Sequence, residues 1–375
     1  MYVEINKDIL QDALDKKGFD KNTSRDTLLL MALSAMFGKH YVVVPSLSNS
    51  QKLRTQLEEL IGKDYVAALA YNTDSRNRQN TAMLKGKVYV RAVLTISGQT
   101  SVENGVITIN LLDKKNFEPW DETFILTENL IDSEFYDYLV SYYLSKEGMP
   151  KCKKCYHALL GGGVTISDVL RQEINKEKRF CLAIADSDKD YPDDNKHHDT
   201  SSNLLKLLKS SPFNCDAYVM DKVREIENLI PMRLVKAYGD HAGCLEIFSA
   251  DKDPSYFDMK NGLLLKNLYD EQVYQYWKDM FPDDRERFEE RDKQRKDCKS
   301  DKEYREKVKE AKPIKRGFGG KLLANVLEAK RNSSKRKEKL TLHQITDNDL
   351  NSYQQDEWYQ IGKHMFSWTC AARAS

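Results

Sequence analysis

Apolar positions recur at helical spacing over residues 23–37, and the short run at 39–45 (KHYVVVP) then predicts a buried strand, followed by a helix over 51–61. Residues 86–112 change period. They alternate in short β-rich runs, KVYVRAVLTI and GVITINLL, broken by Gly98 and by Asn104-Gly105, a pair that favours a tight hairpin turn. A first α/β domain is therefore expected over 1–118. In the middle third, strand and helix signals alternate with short connections, the pattern of a parallel sheet covered by helices. The expected order is strand 124–128 (FILTE), helix 133–145, strand 157–160, helix 165–176 with Thr165 or Ser167 as N-cap, strand 180–185 (FCLAIA), helix 201–208 and strand 216–220. FCLAIA is apolar throughout, as suits a central strand buried on both faces. This segment, 119–250, reads as a Rossmann-like α/β domain, and 251–375 as a mostly helical, charge-rich region whose tail, 358–372, packs back on the body.

Composition narrows this picture only modestly. A chain of 375 residues, 40% hydrophobic, can bury more than one core. The start of the chain lacks the basic and apolar regions of a signal peptide, and the longest apolar stretch, near 27–37, is too short to span a bilayer, so a cytoplasmic protein is expected. Seven scattered cysteines in such a protein are expected to be reduced thiols. The net charge of +1 hides a local asymmetry: residues 283–310 carry 11 acidic and 11 basic side chains, whereas 312–339 carry 10 basic and 2 acidic. The first stretch suits a salt-bridged helix or coiled-coil arm. The second is a positive patch that could track a nucleic-acid backbone, through Lys315, Arg316, Lys321, Lys330 and Arg331 with Phe318 among glycines, or simply be a solvated helix face.

In parallel α/β sheets, chemistry collects at the carboxyl ends of the strands. Glu128 closes the first strand of the middle segment, Asp186 closes the third, Asp188 lies two residues on, and Glu225 and Glu227 follow the fourth in REIENLIP. Carboxylate oxygens are the ligands Mg²⁺ prefers, and a divalent ion so held can clamp a phosphate. The order of strand with terminal Glu, helix, glycine turn at Gly161, Gly162 and Gly163, and strand with Asp-x-Asp resembles the TOPRIM domain of topoisomerases, primases and overcoming-lysogenization-defect nucleases. The resemblance covers about residues 124–231, and Asn129 stands where that family often has glycine. It implies proton transfer by Glu128 and binding of Mg²⁺ or Mn²⁺ by Asp186 and Asp188, with Glu128, Glu225 and Glu227 as further ligands and the glycines as a close-approach turn for phosphate. REIENL is similar to a motif of TOPRIM-like effectors in bacterial anti-phage defence, which implies a nuclease working with an ABC-type ATPase, acting on DNA or on RNA including tRNA, and able to form a homo-oligomer.

Other patterns point elsewhere. Cys152 and Cys155 with His157 form half of a zinc site, completed only if Cys215, His241 and Cys244 come close. Asp186, Asp188 and Asp190 match the start of a calcium loop, but Tyr191 occupies the position that needs glycine. Asp-x-Asp after an apolar strand also suits a haloacid-dehalogenase phosphatase with Asp186 as nucleophile, although that motif normally opens the fold. A non-catalytic interaction subunit with a degenerate acidic pocket is the alternative from a different class.

Overall fold

The computed structural model describes residues 1–15, 21–74, 76–149, 152–195, 199–240, 253–331 and 340–372. The chain is mixed α/β, and its contacts group into two compact units. The first comprises Met1–Ala185, Ser202–Tyr218 and Trp358–Ser375, and the second Asp186–Ser201 and Val219–Glu357. The expected 1–118 segment and the middle strands through Ala185 thus belong to one unit, and the segment directly after Ala185 opens the other.

The first unit contains two sheets. The N-terminal one is built from β1 (Tyr2–Ile5), β2 (Tyr41–Val43), β3 (Arg91–Thr95), β4 (Ser101–Glu103) and β5 (Val106–Asn110), in the order β2-β1-β3-β5-β4. β1 pairs parallel with both β2 and β3, and β3 with β5. Five helices accompany this sheet in sequence: α1 (Lys7–Leu14), α2 (Lys21–Phe37), α3 (Gln51–Ile61), α4 (Lys63–Ala70) and α5 (Arg78–Lys87). The Asn104-Gly105 turn forms as its residues dictate: both have positive φ, 50° and 74°, and Glu103 faces Val106 across a two-residue hairpin. β1 has only four residues, too few to show a period, yet it lies inside the sheet with Tyr2, Val3 and Ile5 buried.

The second sheet comes from the middle third, with β6 (Thr123–Thr127), β8 (Tyr156–Leu160), β9 (Cys181–Ala185) and β10 (Cys215–Val219) in the order β10-β9-β6-β8. β6 pairs parallel with both β8 and β9, and every residue of β9 is buried. The intervening helices are α6 (Leu130–Lys146), α7 (Ile166–Lys176) and α8 (Asp199–Leu208), so strands and helices fall where periodicity places them. Capping differs. Thr165 precedes α7, but its hydroxyl donates back to the Gly161 carbonyl, and Ser167 lies inside the first turn. The tail packs within the same unit as expected: Trp358 meets Phe135 and Tyr142 edge-on, Trp368 meets Phe180, and Cys370–Ala371 pairs antiparallel with β7 (Lys153–Lys154).

The second unit is mostly helical, with Met232–Tyr238, Glu271–Met280, Arg285–Lys296, Asp301–Lys307 and Leu322–Arg331, and an antiparallel ribbon of Gly262–Leu263 with Lys315–Arg316. The charged stretch 283–310 is helical and carries i,i+4 ion pairs as expected, Arg285 with Glu289 and Arg305 with Asp301, but it is not a solvated arm throughout. It forms two helices whose Phe288, Arg291 and Tyr304 are buried, and the Arg291 guanidinium lies 3.9 Å over the Tyr274 ring while donating to the Leu268 carbonyl. Among the described residues, no helix is long and apolar enough to cross a membrane.

Candidate acidic site

In the first unit, Glu128 directly follows β6 and is half-buried. Its surroundings are set by the glycine turn after β8. The Gly161 N–H donates to the Thr127 carbonyl at 2.7 Å, and the Gly162 N–H to the Glu128 carbonyl at 3.1 Å. A Cβ at Gly161 would sit 2.6 Å from Ile166 Cγ1 and 2.9 Å from the Thr127 oxygen, so its glycine is needed for close approach of the chain's own backbone. Gly162 and Gly163 adopt positive φ, and a Cβ on Gly163 would lie 3.9 Å from Glu128 Oε2. Asn129 needs no glycine freedom: at φ −128° it forms a capping box with Asp132 at the start of α6.

In the second unit, the Asp186-Ser187-Asp188 segment is stapled to REIENLIP. The Ser187 and Asp188 N–H groups both donate to the Arg224 carbonyl, the Ser187 hydroxyl donates to the Val223 carbonyl, and the Ile226 N–H donates to Asp186 Oδ1 at 3.0 Å. Asp188 takes φ 56°, a left-handed conformation that Asp tolerates better than most residues. Asp190, the third acid of the apparent calcium loop, is paired with Arg224. Asp186, Glu225 and Glu227 are buried.

A residue the sequence did not single out, Lys260, joins these carboxylates. Its Nζ lies 3.4 Å from Glu225 Oε2 and 3.0 Å from Glu227 Oε2. Burial alone would lower the Lys260 pKa, but the charges of Glu225, Glu227 and Asp186 outweigh it and hold the ammonium protonated. Glu225 moves the other way: burial first, then the charge of Glu227, push it up to about 8 despite the opposing Lys260. Glu227 Oε2 accepts no well-directed hydrogen bond even with the ammonium beside it.

The backbone around Lys260 is held on several sides. The Met259 N–H donates to Glu225 Oε1 at 2.9 Å, and Asn228 Nδ2 donates to the Pro254 and Phe257 carbonyls. From the glycine-bearing segment, the Phe318 N–H donates to the Met259 carbonyl and the Gly319 N–H to the Lys260 carbonyl, while a Cβ at Gly317 would meet the Lys260 oxygen at 2.5 Å. These glycines therefore serve to seat the turn that carries Lys260. Phe318 is buried, and Lys315 pairs with Asp284 at 2.8 Å. Arg316 and Lys321 are exposed, whereas the side chains of Lys330 and Arg331 lie outside the described residues.

The carboxylate oxygens of Asp186, Glu225 and Glu227 are the donor type that hard divalent cations such as Mg²⁺ or Mn²⁺ prefer, but among the described residues they are not arranged as a ligand set. The place between two of them is taken by an ammonium, and among the described residues no three His, Cys, Asp or Glu side chains are gathered as a ready ligand set. The six described cysteines are free thiols, and burial pushes Cys152 up to about 11, which disfavours a zinc-binding thiolate; His241 and Cys244 lie outside the described residues. A cavity of about 530 Å³ in the first unit is lined by Tyr41, Tyr71, Asn72 and Cys152 among others and by none of the acidic candidates. No protein-family model matches the chain, and neither does any curated protein or solved structure.

Proposed function

We propose that the chain is a metal-dependent phosphodiesterase acting on nucleic acid, with a TOPRIM-like sheet and an acidic site in the second unit. The observation that carries this reading is the run of buried acids just beyond the strands, with Asp186 directly after β9 and Glu225 and Glu227 after β10, the Ile226 N–H donating to Asp186 Oδ1. Parallel pairing of β6 with β8 and β9 supports it, because chemistry in parallel sheets collects at the carboxyl ends of the strands, and Glu128 follows β6 directly. A divalent ion held by Asp186, Glu225 and Glu227 would supply Lewis-acid stabilisation of charge on a phosphate oxygen. The chain's own part is to hold the carboxylates: Ile226 N–H orients Asp186, Met259 N–H orients Glu225, and Asn228 ties their segments together. Proton transfer by Glu128, binding by Asp188, an ATPase partner, homo-oligomer formation and a role in anti-phage defence join the proposal from the resemblance.

A non-catalytic interaction subunit is the second reading, favoured by the lysine already seated among the acids. Hydrolysis of bis(p-nitrophenyl) phosphate and of p-nitrophenyl phosphate, with Mn²⁺ and with EDTA, separates the options. Metal-dependent diester turnover lost in Glu227→Gln supports the proposal; preferential monoester turnover through an aspartyl-phosphate at Asp186 would indicate a phosphatase, and no turnover of either would favour the subunit.

A further inference from the structure

We infer that the cavity of about 530 Å³ in the first unit is a pocket for a free nucleotide whose purine carries an exocyclic amino group. The cavity is bounded by Tyr41 of β2, by Tyr71 and Asn72, by Met83 and Leu84 of α5 and, on another side, by Met149 and Cys152. Its volume lies within the range of about 300–1,000 Å³ usual for small-molecule sites. It shares no residue with the acidic site, so the inference stands apart from the proposed hydrolysis.

The hydrogen bonds of the wall decide what it can take. Asn72 is 2% exposed, and its Nδ2 donates to the Val42 carbonyl at 2.7 Å. An amide oxygen turned to that carbonyl would repel it, which fixes the orientation of the carboxamide. Its Oδ1 accepts no hydrogen bond among the described residues and, unlike the enclosed orphans Thr123 Oγ1 and Asn214 Oδ1, keeps surface toward the cavity. Asn77 repeats the arrangement: Nδ2 donates to the Tyr71 carbonyl at 2.8 Å, and Oδ1 has no donor among the described residues. Thr81 gives its hydroxyl proton to the Asn72 carbonyl, so in the 2.9 Å contact between Tyr41 and Thr81 the phenol donates and its oxygen can still accept. Tyr41 is held further by stacking on Tyr2, with ring centroids 5.8 Å apart. The wall therefore presents fixed acceptors.

Acceptors call for a ligand that donates. An organic cation would donate too, but no carboxylate is among the described lining residues, Lys153 adds a positive charge, and burial keeps Cys152 a neutral thiol. A neutral donor on a flat frame fits instead, because Tyr71, Met83, Leu84 and Met149 supply apolar and polarisable surface for its faces. An amino-bearing purine combines such faces with N–H groups on its edge. Lys153 is exposed and makes no ion pair with a described residue, which suits it to the phosphate.

The test uses the full chain. Adenosine monophosphate, guanosine monophosphate, the monophosphate of purine riboside, which lacks the amino group, and agmatine, a donor-rich cation, are titrated calorimetrically. Each is also tested for protection of Cys152 against N-ethylmaleimide, read by peptide mass, with Cys155, outside the lining, as the control. We expect adenosine or guanosine monophosphate to bind, to slow labelling of Cys152 several-fold without affecting Cys155, and to bind roughly tenfold more tightly than the unsubstituted purine. Whichever binds names the base, and Asn77→Leu should weaken it by a similar factor. Protection of the unaltered chain needs no variant, so it stands even if Asn77→Leu folds poorly. Equal binding of the unsubstituted purine, protection by agmatine but not by the nucleotides, or nucleotides that neither bind nor protect Cys152 would overturn the inference.

Discussion

Replacing Asn228 by alanine tests whether the acidic site is held in place by the network described. Asn228 is 2% exposed and makes three buried hydrogen bonds: Oδ1 accepts from the Glu225 N–H at 2.9 Å, and Nδ2 donates to the Pro254 carbonyl at 3.0 Å and the Phe257 carbonyl at 2.9 Å. Each abandoned partner costs roughly 1–3 kcal/mol if it stays buried and unsatisfied. Water entering the vacated space recovers part of this, so a loss of about 3 kcal/mol is expected. Asn228→Asp should cost at least as much, because it sets oxygens against two carbonyl oxygens and adds a charge beside Glu225 and Glu227. Urea titration gives the overall change, and hydrogen exchange of the 224–230 peptide gives the local one. Loss of about 3 kcal/mol corresponds to an opening constant raised on the order of 100-fold. A midpoint and an exchange rate within error of wild type would refute the claim that Asn228 ties these segments together.

Three further outcomes follow from particular groups. Glu225 is held near 8 in the folded chain against 4.5 when unfolded, so the folded state keeps a proton that the unfolded chain has lost between those values; stability should fall as pH rises from about 5 to 8 and flatten in Glu225→Gln, measured by denaturant midpoint across that range. Gly161→Ala would force a Cβ against Ile166 and the Thr127 oxygen and should destabilise the first unit by about 1–3 kcal/mol in a thermal melt, whereas Gly320→Ala, with open space at its Cβ, should not. Arg291→Met should lower stability by about 2–3 kcal/mol in the same assay, since it leaves the buried Leu268 carbonyl without its donor.

The second sheet was legible because its signals are local. FILTE and FCLAIA carry enough apolar residues to mark buried strands, and Asn104-Gly105 declares its turn through the two positive φ angles it must adopt. β1 was not, since four residues ending one before a helix show no period, and its central place depends on pairing with strands dozens of residues away. The positions of Asp186, Glu225 and Glu227 just beyond strands were also readable. Lys260 was not: nothing in Asp258-Met259-Lys260-Asn261 distinguishes it from a surface lysine, and its pairing with Glu225 and Glu227 appears only when Gly317, Phe318 and Asn228 pack around its turn. The charged stretch misled for a related reason, because helical charge pairing looks the same on an exposed arm as on two helices that bury Phe288, Arg291 and Tyr304.

The most direct test of the central claim is incubation of the purified chain with plasmid DNA, single-stranded DNA and total tRNA, in Mg²⁺, Mn²⁺ or EDTA, beside Asp186→Asn, which keeps an acceptor for the Ile226 N–H. The account predicts cutting of at least one substrate that requires a divalent ion and is lost in the variant. Cutting that persists in Asp186→Asn, or no cutting of any substrate with either metal, would contradict it.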